Sequence, residues 1–160
     1  MAQPVLDRRE TAEEFKWKIS DLYPTDDAWS AEFDRLHTEL DALAGYKGRL
    51  GESAAVLLAF LQASDRMEVD SGRMLSYAFR KTDEDTRNAT YQEMSAKARN
   101  FVVEWGQALA FVTPEVLAVE DERMESFYRD EPAHEHYRLL LTRIRRQKEH
   151  TLPAEGEALL

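Results

Sequence analysis

The chain has 160 residues, 43% of them hydrophobic, enough for one domain that buries about 70% of its unfolded surface. Thirty-one acids against 21 bases leave a net charge of −10, which disfavours nucleic acid and anionic membrane as partners and leaves peptides and proteins open. There is no cysteine, so disulfides, thiolate metal sites and cysteine nucleophiles are excluded, and a cytoplasmic setting is favoured.

Residues 1–25 are expected to form an extended arm. Its start, MAQPVLDRRET, holds no apolar block of signal-peptide length. The longest apolar run, Ala54 to Leu61, is far short of the about 20 residues that span a bilayer. The stretch WKISDLYPTDDAW, Trp17 to Trp29, carries the arm into the first helix. Pro24 breaks any helix arriving from the left and biases Tyr23 toward extended backbone. Thr25 or Asp26 then caps a helix beginning near Asp27, and the acids suit its positive end.

Trp29, Phe33, Leu36, Leu40 and Leu43 recur at alternating steps of four and three, one stripe of a helix reaching about Ala44. Glycines at 45, 48 and 51 stop it, and Ser53 opens the next element. From Ala54 the period continues through Val56, Leu57, Phe60, Leu61, Met67, Met74, Leu75 and Ala78 to about Arg80. The apolar face thins around Asp65 to Asp70, which predicts a helix that starts in the core and ends nearer water. Thr82 to Asn88 has no apolar residue and reads as a solvated loop. Asn88, Ala89 and Thr90 spell a glycosylation acceptor, but without a secretion signal Asn88 reads as the cap of a third helix.

The third stripe comprises Tyr91, Met94, Ala98, Phe101 with Val102, Trp105, Leu109 and Val112, closed by Thr113 and Pro114. Thr113 as cap and Pro114 at the first position restart a short helix through Ala118, and another follows near Asp121 to Tyr128. Past Pro132 the stripe is Tyr137, Leu140, Leu141 and Ile144. Arg143, Arg145, Arg146 and Lys148 gather at its carboxyl end, where cations suit the dipole. Thr151, Pro153 and Glu155 begin one more helix, which reads as cut at Leu160 with Leu159 and Leu160 uncovered, an end expected to self-associate or fray. No period-two alternation extends over a useful length. The fold class expected is all-α: an antiparallel bundle of three long helices plus shorter C-terminal helices, a bundle domain over 26–150 with 151–160 opening a further helix.

The candidate chemistry is sparse. HEHYR, His134 to Arg138, is a near miss for the zinc helix HExxH, because the second histidine is replaced by Arg138. On an intact helix His134 and His136 lie about 200° apart and cannot share an ion. Glu131 and His134 form a single ExxH, of which di-iron bundles use two. These histidines therefore read as solvent-facing, His37 as a flank of the core, and His150 as part of a connector. No GxSxG elbow or phosphate-cradling loop occurs, and the acid runs Asp83–Asp85 and Glu120–Glu122 lack the alternation and central glycine of a calcium loop. Trp17, Trp29 and Trp105, with five methionines, read as core in preference to a peptide groove. No residue is assigned as catalytic, cofactor-binding or metal-ligating.

Four ordered blocks carry a resemblance. WKISDLYPTDDAW, YKGRLGES at Tyr46 to Ser53, YAFRKTDEDTRNATYQ at Tyr77 to Gln92 and RQKEHTLPAEGEAL at Arg146 to Leu159 together resemble the amino-terminal region of the oligoendopeptidase F family. These are zinc metallopeptidases that cut short peptides and are related to thimet oligopeptidase. The resemblance implies helical residues forming part of the wall of a substrate cleft. Zinc is expected in a catalytic domain further along the parent polypeptide, held by HExxH and a downstream glutamate that have no counterpart here. The partners implied are that missing C-terminal catalytic domain and oligopeptide substrates, and the piece alone is expected to be inactive. Two other readings stand beside it: a non-enzymatic acidic helical module that binds a protein partner, and a metal-binding helical bundle.

Overall fold

A computed structural model describes residues 10–150. The segment 151–160, with its expected helix start and uncovered leucines, lies outside the described residues. Among the described residues six α-helices follow one another: α1 Asp26–Ala44, α2 Ala54–Glu84, α3 Ala89–Ala108, α4 Val112–Ala118, α5 Asp121–Asp130 and α6 Arg138–Arg145. Short 3-10 turns occupy Glu13–Phe15, Ile19–Asp21, Pro132–Tyr137 and Arg146–His150, and no strand occurs among the described residues. The all-α class is as expected. Contacts divide the chain into two compact units, one comprising the chain up to Thr38 with Val69–Val103, the other Glu39–Glu68 with the chain from Glu104.

In the first unit, the Thr25 hydroxyl accepts the Ala28 N–H at 3.1 Å, closing the start of α1. Asp26 is thereby left to accept the Tyr77 hydroxyl at 2.7 Å. The Trp29 indole donates to the Met74 carbonyl at 2.8 Å, and Arg35 reaches Asp70 at 2.5 Å. As the α1 partner advances from Asp26 to Arg35, the α2 partner retreats from Tyr77 to Asp70, so the two segments run antiparallel. Asn88 caps α3 through the N–H of Thr90 at 3.0 Å, and Thr82 then reaches the Tyr91 carbonyl at 2.8 Å while Arg99 covers the Phe79 ring at 5.6 Å. The α2 and α3 segments are therefore antiparallel as well. Phe33 and His37 of α1 face Phe101 of α3 at 6.2 and 4.9 Å, which places His37 on the flank of the core as its position between Phe33 and Leu40 implied.

Three expectations for this unit need correction. The α2 helix runs to Glu84, past Arg80, because Lys81 lies over the rings of Tyr77 and Tyr91 and Thr82 bonds to the α3 backbone. The solvated loop is correspondingly shorter. The thinning of its apolar face is also not lasting: Met74, Tyr77 and Ala78 are buried, because Tyr23 packs edge-on to Tyr77 at 5.5 Å and Arg73 ties down the Leu22 carbonyl at 3.0 Å, and only from Phe79 to Glu84 does the helix reach the wetter end expected of it. The arm, turned by its two 3-10 segments, supplies the apolar cover that the α2 sequence does not announce. Finally, Trp17 is 66% exposed and Val102 43%, so neither belongs to the core, whereas Trp29 is buried.

In the second unit, Ser53 opens α2 by accepting the Val56 N–H at 3.2 Å. Tyr46 meets Phe60 at 5.5 Å and Phe60 meets Phe111 at 6.1 Å, over buried Leu50 and Leu57. This packing moves the next boundary. α3 stops at Ala108, short of the predicted Val112, and α4 begins at Val112, so Thr113 stands inside its first turn and caps nothing. Phe111 has to enter the core beside Phe60, and the helix restarts directly after it. On α6 the predicted stripe is partly wrong. Tyr137 and Leu141 are buried, but Leu140 is 46% and Leu139 63% exposed. Tyr137 belongs to a 3-10 turn that advances by about 120° per residue, so the α-helical register begins only at Arg138.

Candidate functional site

The HEHYR segment comes nearest in residue types to a metal site, and its structure speaks against one. His134 to Tyr137 lie in the 3-10 turn, and His134 is wholly buried, not solvent-facing as its polarity implied. Its Nε2 donates to the Ala54 carbonyl at 2.8 Å, the ring stacks on Phe127 at 6.3 Å, and Tyr128 meets it edge-on at 6.2 Å. A carbonyl can only accept, so Nε2 carries a hydrogen, and Nδ1 sits enclosed with no hydrogen-bond partner. His136 is exposed, Glu135 is drawn to Arg138 at 2.7 Å, and no group of three potential ligands occurs among the described residues. As placed, the residues of HEHYR do not converge on one ion.

The remaining polar clusters serve backbone and packing. Arg145 donates to the carbonyls of Val116 and Val119 at 2.9 and 2.6 Å and pairs with Asp121. It therefore closes the carboxyl end of α4, not that of its own helix, where the sequence pattern had placed the benefit of its charge. Arg138 lies 3.8 Å from the Tyr128 ring centre, and its bond to Glu135 holds its guanidinium above the ordinary range. Between α5 and α6 these groups line an open cleft of about 330 Å³, in which Arg138 faces Glu125 and Arg145 faces Asp121. Both carboxylates of the cleft are thus engaged by arginine, and no histidine lines it to move a proton.

The turn after α1 is held just as firmly. Gly48 has φ of 81°, a backbone region costly for any other residue. The Glu115 carboxylate accepts the N–H groups of Gly48 at 2.5 Å and Leu50 at 3.2 Å, while Arg123 donates to the carbonyls of Gly51 and Glu52 at 2.9 and 2.8 Å. Neither Glu115 nor Arg123 stands out in the sequence. Their partners are main-chain groups about 70 residues away, and such bonds leave no trace in side-chain periodicity. Glu115→Ala is expected to destabilise the fold by about 1–3 kcal/mol, because two amides held by a charged acceptor lose it. Thermal unfolding checks this, with Glu115→Gln retaining part of the loss.

Burial also marks the tyrosines. Desolvation, helped by Glu32, pushes the Tyr23 phenol from 10.0 to about 12, and desolvation with the 2.6 Å bond to Asp65 pushes Tyr137 to about 12. Tyr77 moves the same way, through burial and its bond to Asp26. A phenol whose folded value exceeds its unfolded value favours the folded state fully below the unfolded value and loses that contribution as pH rises through the folded one. Stability is therefore expected to fall between pH 10 and 12, with Tyr137→Phe weakening the dependence. Absorbance titration of the phenols alongside thermal melts checks the order.

The arrangement is thus a helical scaffold whose charges hold its turns. A family model described as Oligopeptidase F matches residues 115–160. The oligopeptidase PepF of Bacillus subtilis is 32% identical over 99% of this chain and 24% of its own length. An oligoendopeptidase F homolog of Lactococcus lactis is 31% identical over 96% of this chain and 26% of its own length. Among solved structures, the oligoendopeptidase-F of Enterococcus faecium superposes with a TM-score of 0.68 at 29% identity, covering 85% of this chain and 27% of that one. A structure described as a peptidase from Chlamydophila abortus reaches 0.84 over 98% of this chain and 26% of its own, and at 22% identity it speaks to the fold alone. The chain spans about a quarter of the length of the relatives it matches. A likeness along nearly the whole chain, repeated in sequence and in fold, places it in the oligoendopeptidase F family of peptidases, as an amino-terminal region.

Proposed function

We propose that this chain is the amino-terminal helical domain of a zinc-dependent oligopeptidase that hydrolyses short peptides in the cytoplasm. It contributes part of the wall of the substrate cleft. The arm of residues 1–25 leads into a bundle over 26–150, and the catalytic domain belongs to a later part of the parent polypeptide. Zinc and its HExxH ligands belong to that later domain, and the clamps at Gly48 and Val119 serve to hold the wall rigid. A rigid wall suits this role, since a narrow cleft admits flexible oligopeptides and rejects folded proteins.

The observation that carries the reading is the 32% identity across 99% of the chain to an oligopeptidase of which the match covers only 24%. The burial of His134 supports the division of labour, because its enclosed Nδ1 cannot reach a metal. Reading the natural coding sequence past Leu160 tests the proposal. A continuing frame containing HExxH is expected, and a stop codon immediately after Leu160 contradicts it. That second result selects the non-enzymatic interaction module, for which the exposed Leu139 and Leu140 on α6 are the favouring observation.

A further inference from the structure

Among the described residues, the two aromatic side chains that the first unit leaves most open to water stand together. Phe15 is 76% and Trp17 66% exposed, and both line one open groove of about 290 Å³ with Ile19, Arg80, Asp83 and Glu84. The groove is anchored from both sides. Ile19 is buried and its N–H is held by the Trp17 carbonyl at 3.0 Å, while the Arg80 guanidinium lies 5.0 Å from the Trp17 ring centre and is itself paired with Asp83 at 3.0 Å. Trp17 also opens the block that carries the resemblance to the family, yet it contributes nothing to the core of this unit. Exposed aromatic rings on a fixed frame bury much area at little rotamer cost, which is why they are enriched at protein interfaces.

We propose that this groove seats another part of the same polypeptide: an apolar side chain flanked by lysine or arginine, from the portion that lies outside this chain. The inference rests on the functional reading above. Two observations favour that occupant. The chain matches only 24% of the length of its Bacillus subtilis relative, so most of the parent's mass is available to cover this surface. Two acids against one base line the groove, which suits a basic flank and, with a net charge of −10, disfavours a second copy of this chain.

The test uses the natural full-length polypeptide with Trp17 replaced by photoreactive benzoylphenylalanine, irradiated and mapped by mass spectrometry. The expected product joins position 17 to a residue outside these 160 in the same molecule. In the unsubstituted protein, hydroxyl-radical oxidation of Trp17 is expected to fall to the level of buried Trp29. Cross-links between two molecules, cross-links to an added oligopeptide, or free oxidation of Trp17 would each overturn the proposal. An active zinc peptidase with an unprotected Trp17 removes only this inference, whereas a coding frame that stops at Leu160 removes the functional reading itself.

Discussion

Trp29→Ala is expected to destabilise the fold by about 3–5 kcal/mol, well above the roughly 1 kcal/mol typical of single substitutions. The indole is 2% exposed, lies on Phe33 at 5.3 Å and donates to the Met74 carbonyl at 2.8 Å, so truncation removes packing and a buried bond together. At this chain length such a loss lowers the melting temperature by about 10 °C. Trp29→Phe keeps most of the apolar volume and gives up the bond, so its cost is expected near 1–2 kcal/mol, roughly that of the bond alone. Melts followed by circular dichroism separate the two variants. A Trp29→Ala protein that melts with the wild type would show that the family block is not the point at which α1 is fastened to α2.

His134→Ala is expected to cost about 2–4 kcal/mol, although the residue lies in a short polar turn where a solvated histidine is tolerant of change. Its ring fills space beside Phe127 and Tyr128, and its Nε2–H ties the turn to the Ala54 carbonyl at the start of α2. His136→Ala, in the same turn and exposed, serves as the control and is expected to change stability by under about 0.5 kcal/mol. Equal, small effects at both positions contradict the structural role assigned to His134. Addition of zinc is expected to leave both melting curves unmoved.

These two residues mark the limits of reading the sequence. Trp29 is legible because it begins a stripe through Phe33, Leu36, Leu40 and Leu43 whose spacing admits only one helix face, and all but the half-buried Phe33 are buried. The caps at Thr25, Ser53 and Asn88 are legible for a similar reason, since their hydroxyl or amide oxygen acts on amides two or three residues away. His134 is misread because polarity and period describe only the local chain. Its neighbours Ala54 and Phe127 come from other elements. The same failure explains the burial of α2 around Tyr77, where cover comes from Tyr23, and the start of α4, which Phe111 sets by packing on Phe60. Glu115 and Arg123 are silent, and Arg145 is credited to the end of its own helix instead of that of α4, because a side chain that binds distant main-chain groups has no sequence period. Motif spacing alone rejects HEHYR as a pair of ligands on a helix, and the fold adds a separate reason, the enclosure of His134 within a 3-10 turn.

The most direct measurement is a zinc titration of this 160-residue chain with a fluorogenic oligopeptide, set beside the full-length polypeptide under the same conditions. The full-length protein is expected to bind zinc stoichiometrically and to cleave the peptide until a chelator removes the metal, while the chain alone does neither. Stoichiometric zinc binding with zinc-dependent cleavage by the chain alone would contradict the assignment of a supporting wall to these residues.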